Sequence, residues 1–181
     1  VGGFGAGVDW SGVRSREWSG DRPDGACRAS DVLEGDGVTD DDIEIQAAVT
    51  VDGATITVDF AGTADQVAGN LNAPLAVATS AVYFVIRSLT DPEIPPNHGC
   101  YEPVTVSAPE GCLLNPESPA AVVGGNVETS QRVTDVVFLA LAEAAPDRVP
   151  AQGQGTTNHP IIGRRRGRFG YSATVSSGVR G

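Results

Sequence analysis

The segment Ile43–Phe60, IEIQAAVTVDGATITVDF, decides the fold. Apolar residues alternate with polar or small ones on both sides of Asp52-Gly53, a dipeptide typical of two-residue hairpin turns. The alternating positions are Ile43, Ile45, Ala47, Val49 and Val51 before the turn and Ile56, Val58 and Phe60 after it. The segment therefore predicts an antiparallel β-hairpin with one buried face.

Two apolar runs outside the hairpin predict helices. Asn72 and Pro74 are typical of a helix start, and Ala76–Leu89 follows them as the first run. Asp91-Pro92 would end this helix, because proline restricts the residue before it and lacks an N–H group. The second predicted helix is Val133–Ala144, VTDVVFLALAEA, which is long enough to be buried.

Shorter apolar segments predict additional strands at Val104–Val106, around Leu113 and Leu114, and at Ala120–Val123. The chain has 181 residues, of which 40% are hydrophobic, so it can bury one core, and its 23 glycines and 12 prolines predict many turns. We therefore expect an α+β fold in which an antiparallel β-hairpin and further strands pack on two main helices.

The chain is acidic, with a formal net charge of −11 and a sequence pI of about 4.4. Such a charge argues against a nucleic-acid partner, because a phosphate backbone would be repelled. All 12 basic residues are arginine, which favours a halophilic source; a GC-rich genome is the alternative explanation.

Three widely spaced cysteines form no disulfide framework or zinc motif, and the sequence has no signal peptide and no apolar run of membrane-spanning length. A cytoplasmic protein without a membrane partner is expected.

Two segments combine glycine with uncharged hydrogen-bonding side chains: Gly124–Arg132, GGNVETSQR, and Gln154–Asn158, QGTTN. Such composition is typical of a polar pocket. The first segment precedes the second predicted helix, so Asn126 would cap that helix, and the N–H groups of its first turn would face a ligand. A purely structural interpretation stays open: Asn126 only caps, Glu128 complements the helix dipole and Gln131 is solvated.

Six segments in order resemble the hydantoinase B and 5-oxoprolinase family: DFAGTADQ (Asp59–Gln66), NAPLAV (Asn72–Val77), NHGC (Asn97–Cys100), APEGCLLNP (Ala108–Pro116), NVETSQR and QGTTN. The resemblance covers a hydantoinase B-like domain fragment at 23–163 and leaves 164–181 as a divergent segment. Segment 1–22 shows no sustained helical or strand period and is expected to be poorly ordered. The resemblance also implies that the chain is an inner to C-terminal portion of a larger subunit.

The resemblance implies ATP-dependent opening of hydantoin or 5-oxoproline-like rings together with a hydantoinase A-like ATPase subunit. ATP would be bound by that partner, and a divalent metal by the N-terminal half of the larger subunit, whose motifs are missing here; no cofactor is expected on this chain. One alternative is a non-catalytic structural or subunit-contact module, or an inactive truncated relic. Another is a subunit of an acetone carboxylase-like enzyme.

The resemblance also points to residues that would hold the ring carbonyl and amide through preorganised hydrogen bonds. The predicted substrate-binding residues are Asn126, Glu128, Thr129, Gln131, Gln154, Thr156 and Asn158. No general base or nucleophile is assigned, and no metal ligand is predicted.

Other residues that could carry chemistry have structural explanations as well. Cys100 could be a nucleophile beside His98 on an extended strand, or a buried small residue. Asp59 and Asp65 could share acid–base work, or be a solvated carboxylate and a loop cap. His98 and His159 are expected to be surface residues.

Overall fold

A computed structural model describes residues 26–52, 55–90, 97–142 and 144–153. It also gives the backbone of four two-residue strands at 157–158, 161–162, 171–172 and 175–176. The segment 1–22, for which poor order was expected, lies outside the described residues.

Three antiparallel strands form most of the main sheet: β1 (Ala26–Glu34), β2 (Asp42–Asp52) and β3 (Thr55–Asp59). The predicted hairpin is confirmed as β2–β3. Its last pair is Asp52 with Thr55, so residues 53–54 connect the strands where Asp52-Gly53 was expected to turn. The same apolar residues are buried in either register, because the two registers differ by an even number of residues.

Strand β1 was not predicted, because its alternation is interrupted. The positions that pair with the inward side of β2 are Cys27, Ala29, Asp31 and Leu33. An aspartate at such a position hides the period of two on which sequence-based strand prediction rests.

A helical crossover completes the sheet. Helix α1 (Leu75–Leu89) follows β3, and β4 (Val104–Ser107) then pairs with β3 in parallel, giving the order β1-β2-β3-β4. Two parallel neighbours need such a connection, because a tight turn joins only antiparallel ones. The predicted helix at 76–89 and the predicted strand at 104–106 are both confirmed.

Helix α2 (Thr129–Ala142) begins four residues earlier than predicted. Gly124–Asn126 forms a short 3-10 turn, and the Gly124 carbonyl accepts hydrogen bonds from the backbone N–H groups of Val127 and Glu128. This arrangement starts the helical backbone inside the polar segment. Asn126 thus lies three residues before α2, and the expectation that it caps this helix is wrong.

Two predicted strands are wrong. Leu113 and Leu114 lie in a buried turn, beside isolated bridges that join Cys112 to Asp65 and to Asn115. Leu113 is held by two loops instead of a strand, because it donates to the Ala64 carbonyl and accepts from the N–H of Ala73. Residues 120–123 are irregular as well.

Both helices cover one face of the sheet. Helix α2 packs on β1 and β2, and α1 packs on α2 and β4. The largest fully buried side chains in the sheet are Ile45, Val49, Ile56 and Val58, together with Phe60 just after β3. The other face carries exposed residues such as Glu44, Thr57 and Thr105. The expected α+β architecture is confirmed.

The four short strands form two further antiparallel pairs. Strand β5 (Thr157–Asn158) pairs with β8 (Val175–Ser176), and β6 (Ile161–Ile162) pairs with β7 (Tyr171–Ser172). Within the described part of the chain, neither helix has the length and apolar character needed to span a bilayer.

The start of the 3-10 turn before α2 lies directly on the loop before α1. A Cβ atom added to Gly125 would be 2.1 Å from the Asn72 carbonyl oxygen, and one added to Gly124 would be 2.7 Å from that of Asn70. The Gly125 N–H donates to the same Asn70 oxygen at 3.1 Å. Both positions require glycine because the two backbones are in contact.

Replacing Gly125 with alanine should therefore separate the starts of the two helices. We expect Gly125→Ala to lower the free energy of unfolding by roughly 1–3 kcal/mol, the cost of overpacking a tight site. The matched control is Gly99→Ala, where the nearest atom to an added Cβ is a side-chain oxygen at 3.2 Å. Urea unfolding followed by circular dichroism measures both, and equal stabilities for the two variants would contradict the close contact.

Candidate functional site

The loops at the start of both helices converge on Asn72, which is fully buried. Its side-chain amide donates to the carbonyls of Val67, Gly69 and Ala121 at 2.9, 3.2 and 3.0 Å, and its Oδ1 accepts from the Val67 N–H at 2.8 Å. The helix start predicted at Asn72 and Pro74 is confirmed, with Pro74 at the N-cap position of α1, so Asn72 itself does not cap the helix. Asn72 ties together loops that are distant in sequence.

A second polar side chain holds the same loop from the sheet side. Asp36, in the β1–β2 connection, accepts hydrogen bonds from the N–H groups of Thr39 and Val38 at 2.8 Å each and of Gly69 at 2.7 Å. These bonds, those of Thr39 and Val38 foremost, hold the pKa of Asp36 below its ordinary value of 3.8. The loop before α1 is therefore fixed from two directions.

The lowered pKa of Asp36 gives a stability contribution with a defined pH dependence. The contribution is present above the ordinary pKa of 3.8 and is lost as pH falls through the lower folded pKa. We expect Asp36→Asn to be less stable than the wild type at neutral pH and to lose less stability between about pH 4 and pH 2. Exposed Asp40 supplies the control Asp40→Asn, and parallel acid curves for the wild type and Asp36→Asn would contradict the assignment.

An open groove of about 420 Å³ lies between α1 and α2. Every lining side chain is uncharged. The groove is lined by Ala76, Val77, Ser80 and Ala81 from α1 and by Asn126, Ser130, Gln131 and Thr134 from α2 and the turn before it. Its volume falls within the range of small-molecule sites, ~300–1,000 Å³.

Each hydroxyl group in this groove donates a hydrogen bond to a backbone carbonyl. Ser80 donates to the Ala76 carbonyl at 2.8 Å, Ser130 to that of Asn126 at 3.0 Å, and Thr134 to that of Ser130 at 2.9 Å. A hydroxyl that donates to its own helix keeps lone pairs for a ligand. The three hydroxyls therefore act as acceptors, whereas the carboxamides of Asn126 and Gln131 can both donate and accept.

The predicted substrate-binding residues occupy different environments. Asn126 and Gln131 line the groove. Thr129 is buried and donates to the Leu71 carbonyl at 2.5 Å, and the Glu128 carbonyl accepts from the N–H groups of Gln131 and Arg132. Gln154 and Thr156 lie outside the described residues, and Asn158 lies in β5 without a described side chain.

Three hydroxyl residues of the groove were not predicted from the sequence: Ser80, Ser130 and Thr134. Serine and threonine within apolar helical runs look like ordinary helix positions. A signal was nevertheless present, because Ala76 and Ser80 are four residues apart, as are Ser130 and Thr134, and residues at that spacing share a helix face.

A partly buried charged cluster of Arg132 and Asp135 on α2 and Asp31 on β1 was also missed. Arg132 forms an ion pair with Asp31 of β1, and the Arg132 Nε is buried with no hydrogen-bond partner. Asp135, one turn after Gln131, is buried, and this burial raises the pKa of its carboxyl above the ordinary 3.8 despite opposing effects of the Gly153 N–H and Arg132. A charged residue inside the run VTDVVFLALA was the available signal.

The other residues that could carry chemistry include His98, Cys100 and Asp59, and each has a defined place in the fold. His98–Cys100 forms a 3-10 turn instead of the expected strand, with His98 exposed and Cys100 buried. Tyr101 stacks on Tyr83 with ring centroids 4.1 Å apart, and burial raises its pKa. Asp59 accepts from the Ser107 hydroxyl at 2.8 Å.

Asp65 is exposed, and its backbone bridges to Cys112. Within the residues that the structure covers, no three His, Cys, Asp or Glu side chains are grouped to hold a metal ion.

The family model described as hydantoinase B/oxoprolinase matches residues 3–181, nearly the whole chain. The chain belongs to the hydantoinase B/oxoprolinase family. The matched range extends beyond residues 23–163, over which the six segments were recognised in the sequence.

Family members are similar to this chain over most of its length. An uncharacterized protein of Methanocaldococcus jannaschii is 42% identical over 143 residues, which are 79% of this chain and 25% of that protein. 5-Oxoprolinase 1 of Arabidopsis thaliana is 40% identical over 162 residues, 88% of this chain and 12% of that protein. The chain thus spans a quarter or less of the length of these relatives.

Two solved structures share the fold of this chain. The ATP-dependent caprolactamase from Pseudomonas jessenii has a TM-score of 0.62 and 25% identity, covering 87% of this chain and 31% of its own. Nucleotide-free acetone carboxylase has a TM-score of 0.64 and 15% identity, covering 74% of this chain and 20% of its own. At that identity, the likeness to acetone carboxylase concerns the fold alone.

Proposed function

We propose that this chain is part of an ATP-dependent cyclic-amide hydrolase subunit that acts on hydantoin or 5-oxoproline-like rings together with a hydantoinase A-like ATPase. Family membership supports the proposal, as do the names of the relatives, a 5-oxoprolinase and an ATP-dependent caprolactamase. In our proposal, the groove between α1 and α2 holds the ring.

The observation that carries the proposal is the chemistry of the groove lining. A ring amide presents an N–H donor and a carbonyl acceptor in fixed directions and carries no charge. The hydroxyls of Ser80, Ser130 and Thr134 offer acceptors for the ring N–H, and the carboxamides of Asn126 and Gln131 offer donors for the carbonyl. Helical positions hold these groups at fixed spacing, which favours preorganised binding.

The groove lining lacks a titratable group, so the proposed role is to bind and orient the ring. General acid–base groups and ATP would be supplied by other parts of the larger enzyme or by its ATPase partner. The divalent metal that the family resemblance implies does not fit the described residues, which offer no suitable group of ligands, and no step of the proposal uses it.

The uncharged lining also favours a neutral ring. A carboxylate substituent, as in 5-oxoproline, would lose hydration without gaining a cationic partner from the lining residues. We therefore expect hydantoin to bind this chain more tightly than 5-oxoproline does.

Removing a carboxamide from the groove should weaken the binding of hydantoin. Gln131→Ala and Asn126→Ala should each raise the Kd for hydantoin by about fivefold, the effect of one lost hydrogen bond of ~1 kcal/mol. Titration by ¹H–¹⁵N NMR measures these constants. Exposed Thr105, on the opposite face of the sheet, provides the control Thr105→Ala, which should bind like the wild type.

The same titration separates the proposal from its alternatives. A structural or subunit-contact module would show no hydantoin-dependent shifts at Gln131, and this result would overturn the groove assignment. Turnover is a further test: with ATP, the chain should open hydantoin only beside a hydantoinase A-like subunit, and turnover by the chain alone would contradict the proposed division of roles.

We also propose a cytoplasmic, high-salt setting for the protein, in which Cys27, Cys100 and Cys112 remain reduced. Salt screens the self-repulsion of a chain with net charge −11. The melting temperature should therefore rise between low and molar potassium chloride, as measured by circular dichroism. A melting temperature that does not change with salt would count against the halophilic interpretation.

A further inference from the structure

The chain after α2 contacts that helix again at Gln152 and Gly153. The backbone N–H of Gly153 donates to Asp135 Oδ1 at 3.4 Å, and the side-chain amide of Gln152 donates to the Asp135 carbonyl at 3.3 Å. One residue of α2 therefore accepts the hydrogen bonds of both Gln152 and Gly153. Asp135 is only 9% exposed.

Asp135 lies close to the proposed ring site. It follows Gln131 by four residues, a distance of ~6 Å along a helix axis, and residues at this spacing share a helix face. Gln131 lines the groove, and Gln152 and Gly153 contact α2 at Asp135, one helical turn further along. The groove on its own is open, and a neighbouring backbone fixed beside Gln131 would supply a further wall.

We propose that Asp135 is a positioning residue that fixes Gln152–Gly153 against α2, one helical turn from Gln131, and thereby sets the edge of the ring-binding groove. The effect on ring binding rests on the function proposed above. The hold on Gln152–Gly153 does not, because it follows from two hydrogen bonds within the chain.

The charged groups around Asp135 influence whether its carboxyl is ionised, and ionisation affects the hydrogen bond to Gly153. Among the described residues, Arg132 of the same helix and Asp31 of β1 exert charge effects on Asp135, with opposite signs. Arg132 is paired with Asp31 of the sheet. An ionised carboxylate accepts a hydrogen bond more strongly than a neutral one, so the hold on Gly153 should strengthen as Asp135 loses its proton.

The Gly153 amide reports this hold directly. In ¹H–¹⁵N spectra of the wild-type chain without ligand, the Gly153 amide proton should shift with pH, with a midpoint above 3.8 because burial raises the pKa of Asp135. In Asp135→Asn the pH-dependent shift should disappear while the amide stays protected from hydrogen exchange, because the Asn side-chain oxygen still accepts. In Asp135→Ala protection should be lost.

Two outcomes would overturn the hold. One is a Gly153 titration that persists in Asp135→Asn, and the other is equal protection of the amide in wild type and Asp135→Ala. If Asp135→Ala does not fold, the Asp135→Asn titration decides alone. The control is Asp59→Asn, which changes another hydrogen-bonded aspartate at the far end of β3 and should leave the Gly153 titration as in the wild type.

Hydantoin binding at neutral pH tests the consequence for the groove. Asp135→Ala should raise the Kd for hydantoin about fivefold, and Asp135→Asn should restore most of the affinity. Unchanged affinity in Asp135→Ala, with Gly153 released, would overturn the effect on the groove. A wild-type chain that does not bind hydantoin would instead refute the proposed function, and the Gly153 titration would still decide whether Asp135 holds the segment.

Discussion

The buried side chain of Asn72 is the interaction on which the rest of the structure depends. It makes four hydrogen bonds to backbone groups of Val67, Gly69 and Ala121, and each such group left unsatisfied in a core costs ~1–3 kcal/mol. The Asn72 carbonyl is also the surface against which Gly125 packs. Asn72 thus sets where both helices start, and the positions of these helix starts determine the shape of the groove between them.

The sequence predicted those parts of the fold that depend on local periodicity. The β2–β3 hairpin and α1 follow from alternation and from an apolar run between turn signals, so they were found nearly to the residue. Strand β1 was missed because Asp31 occupies an inward position, which Arg132 compensates from 101 positions away. No local pattern carries that information. The start of α2 was displaced because the Gly124 carbonyl, a backbone group, organises the preceding turn.

The candidate site was predictable in its location more than in its members. Glycine beside amide side chains pointed to the start of α2, where Asn126 and Gln131 line the groove. Thr129 lies in the same segment of glycine and amide residues, but its side chain faces Leu71 in the core. Composition does not distinguish core-facing from groove-facing residues, because this depends on their position around the helix axis. Ser80 comes from α1, and it lines the same groove as Gln131 because of helix packing that no local sequence pattern predicts.

The hydroxyls of Ser80, Ser130 and Thr134 donate hydrogen bonds to backbone carbonyls four residues earlier, which leaves their lone pairs to contact a ligand. If a ring occupies the groove, this polarity separates lactams from lactones of the same shape. A lactone has an oxygen in place of the N–H group. This oxygen and the lone pairs of the three hydroxyls would repel each other. A site built to receive a donor rejects an analogue that lacks one more firmly than it rejects a change of size.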